Sequence, residues 1–335
     1  MKKLLSAAVA ELDAGRPFMA VSVIASSGST PRGAGAMMTV FLNGEIAGTI
    51  GGGAVEHAAR ERAAQLLLNQ GSELRGYVLS KNDVADLGMI CGGDVKVYFQ
   101  YVYPGDSKLS QVFRYLLEAA DRDESVWLIR RFNDGLMTDA GVYDSSGLHF
   151  ADTITAQELK PMLRSSAVLT DTLCSEPVVR AGKVYVFGGG HVAQELVPAL
   201  ARVNFRCVVF EDREQFSNPA LFPGVFSTIL GDFKNIREKV AIGRSDCVVI
   251  MTRGHQSDFD VLAQTLRTDA YYIGCIGSSG KIATIKQRLA AEHGYSENEF
   301  NRVHMPIGLA IKAETPAEIA VSIAAQMILS RAENG

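Results

Sequence analysis

Apolar residues recur along this chain at two spacings, and the order of those spacings differs between its halves. Residues 1–15 place leucine, alanine and valine at helical intervals and stop at Gly15-Arg16-Pro17. Phe18 to Ala25 is β-rich, and residues 26–38 are dense in glycine and hydroxyl groups. Met37 to Leu42 and Glu45 to Ile50 read as strands joined by an Asn43-Gly44 hairpin turn. A helix is expected from about Ala54 to Asn69, then strands at Leu74 to Leu79 and Val95 to Val102. Ser107 to Ala120 has the period of an amphipathic helix. Val126 to Arg131, Leu136 to Val142 and Leu148 to Phe150 suggest a meander turning at Asn133-Asp134-Gly135 and Ser145-Ser146-Gly147. Residues 165–182 are of mixed polarity and include Pro177 and Gly182, which predicts a boundary between a domain at 1–175 and another at 183–335.

From Lys183 onward short apolar runs alternate with helical ones. Strands are predicted at 184–187, 206–210, 225–230, 246–251 and 270–276, with helices at 191–203, 233–241, 256–267 and 279–292. Such alternation implies a parallel sheet covered on both faces. Thr315 as N-cap, Pro316 at the first helical position and Glu318 as capping-box partner open a last helix. The fold class is therefore α/β: a mixed N-terminal domain and a Rossmann-type, doubly wound C-terminal domain.

Composition narrows the field. A chain of 335 residues, 47% hydrophobic and 21% charged, suits two ordinary globular domains. A net charge of −4 without basic runs argues against a nucleic-acid partner. No apolar run suggests a membrane span, and Met1 to Ala10 lacks the apolar core of a signal peptide. Five cysteines, an odd number without a C-x-x-C pair, point to a reducing cytoplasm rather than disulfides or structural zinc. A homodimer is expected as the commonest assembly.

The candidate chemistry lies in loops that end strands. Lys183 to Leu196 reads strand, glycine turn, helix, with G-x-G-x-x-A on Gly188, Gly190 and Ala193. Gly188, Gly189, Gly190 and His191 would bring backbone N–H groups to a phosphate. About twenty residues on, Glu211 and Asp212 are placed to bond a ribose, which favours NAD or an adenosine nucleotide over NADP; the alternative is a scaffold that binds no nucleotide. In the N-terminal half the hairpin carries Ser29 and Arg32 to the same end as Gly51, Gly52 and Gly53, a second anion site with Glu56 one turn into the helix. There the alternative is a glycine turn and a helix N-terminus stabilised by Glu56. Cys91, flanked by glycines, is a soft metal ligand, a sulfur acceptor, a nucleophile or a buried thiol. Arg253 and His255, with Asp258, follow a strand, and His255 reads as an acid/base, a ligand or a structural residue. Gly277, Ser278 and Lys281 form a further anion-binding turn without P-loop spacing.

Taken together these blocks resemble the XdhC/CoxI family, accessory proteins of molybdenum hydroxylases such as xanthine dehydrogenase. GSTPRGAGAMM, GTIGGGAVE and CGG carry the resemblance in the first half. FGGGHVA, EDR, TRGHQSD, IGSSGK and PIGLAIKAETPAEIAVSI carry it in the second. The chain departs from the family at Lys312, where glycine is common. The resemblance implies a protein that binds the molybdenum cofactor (molybdopterin), protects it during sulfuration by a cysteine desulfurase and hands it to an apo-hydroxylase. The residues alone also admit an NAD-dependent oxidoreductase with His255 as acid/base, or a nucleotide-binding interaction protein.

Overall fold

Leu4, Leu5, Ala8, Val9 and Leu12 fall on one helical face, and α1 (Lys2–Asp13) buries that face. The structure, a computed structural model, describes residues 1–28, 33–79, 93–122, 124–164 and 166–333. The chain divides into two units, Met1–Ala181 and Gly182–Gly335.

The first unit holds two antiparallel sheets. One is built from β1 (Phe18–Gly28), β2 (Met37–Phe41), β3 (Ile46–Gly48), β4 (Glu73–Leu79) and β5 (Gly93–Val102), in the order β3-β2-β1-β5-β4. α2 (Gly53–Leu68) covers one face of it, setting Val55, Ala59, Ala63 and Leu66 against Met19, Val21, Val97 and Phe99. The alternate residues of β1 point the other way, as a period of two requires. Phe18 and Ala20 join a core with α1 and α3 (Ser107–Ala119). The second sheet contains β6 (Val126–Asn133), β7 (Leu136–Asp144), β8 (Gly147–His149), β9 (Val168–Leu169) and β10 (Leu173–Val179), ordered β8-β7-β6-β10-β9. A short helix α4 (Ala156–Leu159) precedes β9.

The connection expected at 165–182 contains β10, an interior strand. Its polarity has a tertiary cause: Glu176 is buried in an ion pair with Arg130 of β6, and Ser175 is buried as well. The guanidinium of Arg130 also lies 5.5 Å from the centre of the Tyr98 ring. Pro177 is accommodated where the β6–β10 register shifts, between Pro177 and Val179.

In the second unit β11 (Val184–Phe187), β12 (Cys207–Glu211), β13 (Ser227–Leu230), β14 (Cys247–Ile250), β15 (Tyr272–Cys275) and β16 (Val303–His304) form one parallel sheet, ordered β13-β12-β11-β14-β15-β16. Separate apolar cores on its two faces show the doubly wound arrangement. The helices are α5 (His191–Arg202), α6 (His255–Thr265), α7 (Ser279–His293), α8 (Glu297–Phe300) and α9 (Pro316–Glu333). The helix expected at 233–241 is a 3-10 segment, Phe233–Glu238, broken at Asn235 (φ −133°, ψ 48°). β16 and α8 are too short to leave a periodic signal. α9 starts as predicted: Glu318 N–H donates to Thr315 Oγ1 at 3.3 Å, and Thr315 N–H donates to Glu318 Oε2 at 2.9 Å.

Candidate functional site at a switch point in the parallel sheet

Sequence order along the second sheet reverses between β11 and β14: the chain goes from β11 to β12 on one side and reaches β14 on the other. Ligands of open parallel sheets bind beyond the strand C-termini at such a reversal. Gly188 stands there with φ +110°, and a Cβ on it would lie 2.4 Å from the Met251 carbonyl oxygen, so glycine is required. Gly190 next opens α5 with nothing within 4 Å of its Cβ direction, and His191 is exposed.

Three helices begin beside this reversal, and none has a side-chain cap. α5 starts after β11 at Gly190, α6 after β14 at Gly254, and α7 after β15 at Ser278. Their strands are consecutive in the sheet, about 4.8 Å apart. Elsewhere Asp106 caps α3, and α4 and α8 carry capping boxes, while α1 and α2 also lack a side-chain cap. The three open N-termini present unsatisfied N–H groups and positive dipole ends. Arg253, His255 and Ser278 are exposed among them. The arrangement suits an anion.

Glu211 does not stand free for a ribose. It is 1% exposed at the end of β12. Its Oε2 accepts from Gly189 N–H at 2.7 Å, and its Oε1 accepts from Arg213 Nε at 2.8 Å and from the Asp212 and Arg213 N–H groups at 3.2 Å each. Burial pushes this carboxyl up, but the bonds from Arg213, Asp212 and Gly189 outweigh it and hold it below its ordinary value. Asp212 is raised, by burial and by the adjacent Glu211 charge.

The loops after β14 and β15 are tied from beneath. Asp258, wholly buried, accepts from Thr252 N–H at 3.0 Å and Thr252 Oγ1 at 2.7 Å, and pairs with the Lys281 ammonium. Lys281 also donates to the Ile276 carbonyl at 3.1 Å. Lys281, expected on an external anion, therefore holds two loops of the site together. A Cβ on Gly277 would meet the Lys281 Cδ at 3.1 Å.

In the first unit, Gly51, Gly52 and Gly53 have φ of +127°, +73° and +64°, three left-handed positions in a row. The turn wraps a carboxylate of the chain itself. Glu56 Oε2 accepts from Ile50 N–H at 2.9 Å, from Gly52 N–H at 3.0 Å and from the Thr49 hydroxyl, while Gly51 N–H donates to Thr49 Oγ1 at 3.0 Å. Burial raises the carboxyl; Thr49 and the backbone donors outweigh it and lower it. The position expected for an external anion is filled by Glu56. Ser29, Arg32 and Cys91 lie outside the described residues.

Residues 184–327 match the XdhC Rossmann domain, and residues 11–78 match the XdhC and CoxI family. The chain belongs to the XdhC and CoxI family. It is 24% identical over 316 residues to a Bacillus subtilis (strain 168) protein named as a probable xanthine dehydrogenase subunit, covering 92% of both chains. It is 23% identical over 312 residues to "Uncharacterized protein YqeB" of Escherichia coli (strain K12), covering 93% of this chain but only 43% of that protein's length. A Bacillus halodurans crystal structure described as a xanthine dehydrogenase superposes with a TM-score of 0.82 at 24% identity, over 100% of this chain and 96% of the other, which shows the shared fold.

Other groups in this XdhC/CoxI chain became visible only in three dimensions. Ser146, His149 and Asp144 meet in the first unit, yet His149 Nε2 faces both Ser146 Oγ (2.9 Å) and Asp144 Oδ1 (3.1 Å). A proton relay needs the two partners on different ring nitrogens, so this cluster fastens a hairpin. Cys174, Cys207, Cys247 and Cys275 are free and buried. Burial raises all four thiols, Cys207 and Cys247 to about 12. Among the described residues no three His, Cys, Asp or Glu side chains gather as a metal site, and no helix is long and apolar enough to cross a membrane.

Proposed function

We propose that this chain is an accessory protein of a xanthine dehydrogenase-type molybdenum hydroxylase. It takes molybdenum cofactor as cargo, holds it in the cytoplasm while a cysteine desulfurase sulfurates it, and passes it to the apo-enzyme. The observation that carries this reading is the set of three uncapped helix N-termini at the β11–β14 reversal, flanked by Arg253 and His255. Molybdopterin ends in a phosphate, and N–H groups at helix starts, with a guanidinium beside them, match that group. Asp258 and Lys281 fix the α6 and α7 turns, so the donors are in place before the cargo arrives. Family membership supplies the hydroxylase context, and the name of the Bacillus subtilis relative agrees with it.

The nicotinamide reading asks for a free carboxylate at the end of β12; Glu211 is already committed to Gly189 and Arg213, and exposed Asp212 lies 3.5 Å from the same Arg213. A cofactor carrier therefore fits better than a dehydrogenase. The test is to purify the chain from a host that makes molybdenum cofactor and to identify bound pterin by mass spectrometry and absorption. Pterin is expected with the native chain, with at least tenfold less on an Arg253→Ala/His255→Ala variant that keeps its fold. Absence of pterin from the native chain, together with full hydroxylase activity after its deletion, sinks the proposal.

A further inference from the structure

Two neighbouring places at the glycine turn of the second unit differ sharply. At Gly190 the backbone is open, and α5 begins uncapped. At Gly189, one residue earlier, the surface is shut. A Cβ there would lie 2.2 Å from the Phe216 carbonyl oxygen and 3.2 Å from the Phe222 ring. The short 3-10 turn Glu214–Phe216 thus rests on the glycine turn.

The same segment carries Arg213. Its Nε and Nη2 grip the two oxygens of Glu211 at 2.8 and 3.1 Å, and its guanidinium lies 4.0 Å from the centre of the Phe216 ring. Glu211 also accepts from three backbone N–H groups, those of Gly189, Asp212 and Arg213. In a dinucleotide fold, the carboxylate at this position bonds the ribose hydroxyls while the turn lies bare beneath the nucleoside. Here both carboxylate oxygens are occupied, the side chain is buried, and the turn is roofed.

We propose that Arg213, Glu211 and Phe216 form an internal latch that closes the nucleoside seat, so that the site at the β11–β14 reversal selects ligands ending in a phosphate monoester and refuses dinucleotides. A phosphate needs only the open helix starts at Gly190, Gly254 and Ser278. A nucleoside would have to displace Arg213 from a buried carboxylate and lift the 214–216 turn, and a charged bond of that kind is costly to break. Exposed Asp212 adds a negative charge at the rim, which also repels a 2′-phosphate. The latch depends on the Proposed function only for the identity of the phosphate-bearing cargo.

Calorimetric titration with inorganic phosphate and with NAD separates the two ideas. The native chain is expected to bind phosphate and to bind NAD no more tightly. Arg213→Ala removes the grip on Glu211, and Phe216→Ala removes the ring that holds the Arg213 guanidinium, loosening the 214–216 turn whose backbone roofs Gly189 while leaving the ion pair; circular dichroism confirms that each is folded. Either variant is expected to gain at least tenfold in NAD affinity with phosphate binding unchanged. Native NAD binding tenfold tighter than phosphate, or no gain in a folded Phe216→Ala chain, overturns the latch. Failure of phosphate to bind the native chain, with the NAD gain still present in the variants, keeps the latch and refutes the phosphate seat.

Discussion

Glu56→Ala removes a carboxylate oxygen that accepts from Ile50 N–H, Gly52 N–H and the Thr49 hydroxyl. A hydrogen bond to a charged group contributes about 1.5–3 kcal/mol. The three bonds share one oxygen and the side chain is only half-buried, so they are not additive. The negative charge also lies in the first turn of α2, a placement that contributes ~0.3–1 kcal/mol. Together these give an expected loss of about 2–4 kcal/mol, a large share of a domain's stability. Trp127, the sole tryptophan, lies on β6 of the same unit, so fluorescence during urea unfolding reads the unit that contains Glu56. With a slope of about 2 kcal/mol per molar urea, the midpoint should fall by roughly 1–2 M. Formate or acetate should restore part of that loss by refilling the turn, and chloride at equal ionic strength should restore less. A midpoint shift worth less than ~0.5 kcal/mol, or equal rescue by chloride, refutes the view that the glycines exist to hold this carboxylate.

Three further substitutions probe other parts of the argument. Gly188→Ala combines a φ of +110° with a Cβ 2.4 Å from the Met251 carbonyl oxygen, and should cost about 3 kcal/mol or more; a thermal midpoint by circular dichroism within 2 °C of the native chain would contradict this. Lys312 holds φ +59° with its side chain exposed, so Lys312→Gly should stabilise by about 0.5–1 kcal/mol, seen as a higher urea midpoint. Asp139, buried, accepts from Lys108 at 2.9 Å and from the Asp152 and Thr153 N–H groups at 2.9 and 2.6 Å; burial raises its carboxyl, but these donors outweigh it and hold it well below the usual range. Its stabilisation is therefore fully present above the ordinary carboxylate value of ~4 and is lost as pH falls below that. The stability gap between native and Asp139→Asn should be widest at pH 7 and shrink towards pH 3, and a constant gap across urea titrations at pH 7, 5 and 3 would show that the lowered pKa is wrong.

Much of the second unit was legible because its signals are local. Four-residue apolar strands are followed within four residues by a glycine and then a helix start, so Val184–Phe187, Cys247–Ile250 and Tyr272–Cys275 could be read directly. β10 was not legible, since Ser175 and Glu176 lie in the interior only because Arg130 arrives from another strand. Lys312 shows the reverse case. The resemblance implies glycine there, and the left-handed backbone at Lys312 supplies a physical reason for it. At the sites, residue types were found but their partners were not. Glu211 and Lys281 are expected to reach outward, and each bonds within its own unit, while Glu56 takes the alternative of holding its own glycine turn and helix start. Sequence spacing marks where a charge can sit, whereas only the folded chain shows which N–H groups it meets first.

The placement of the cysteines makes this chain a convenient host for spectroscopic labels. Cys174, Cys207, Cys247 and Cys275 are sealed in strands as neutral thiols, and thiol reagents attack the thiolate. In a Cys91→Ser background, a single cysteine introduced at exposed Ser278 or His255 would then carry a nitroxide or fluorophore alone, at the mouth of the candidate site. Arrival and departure of a cargo could be followed in solution with no further change to the chain.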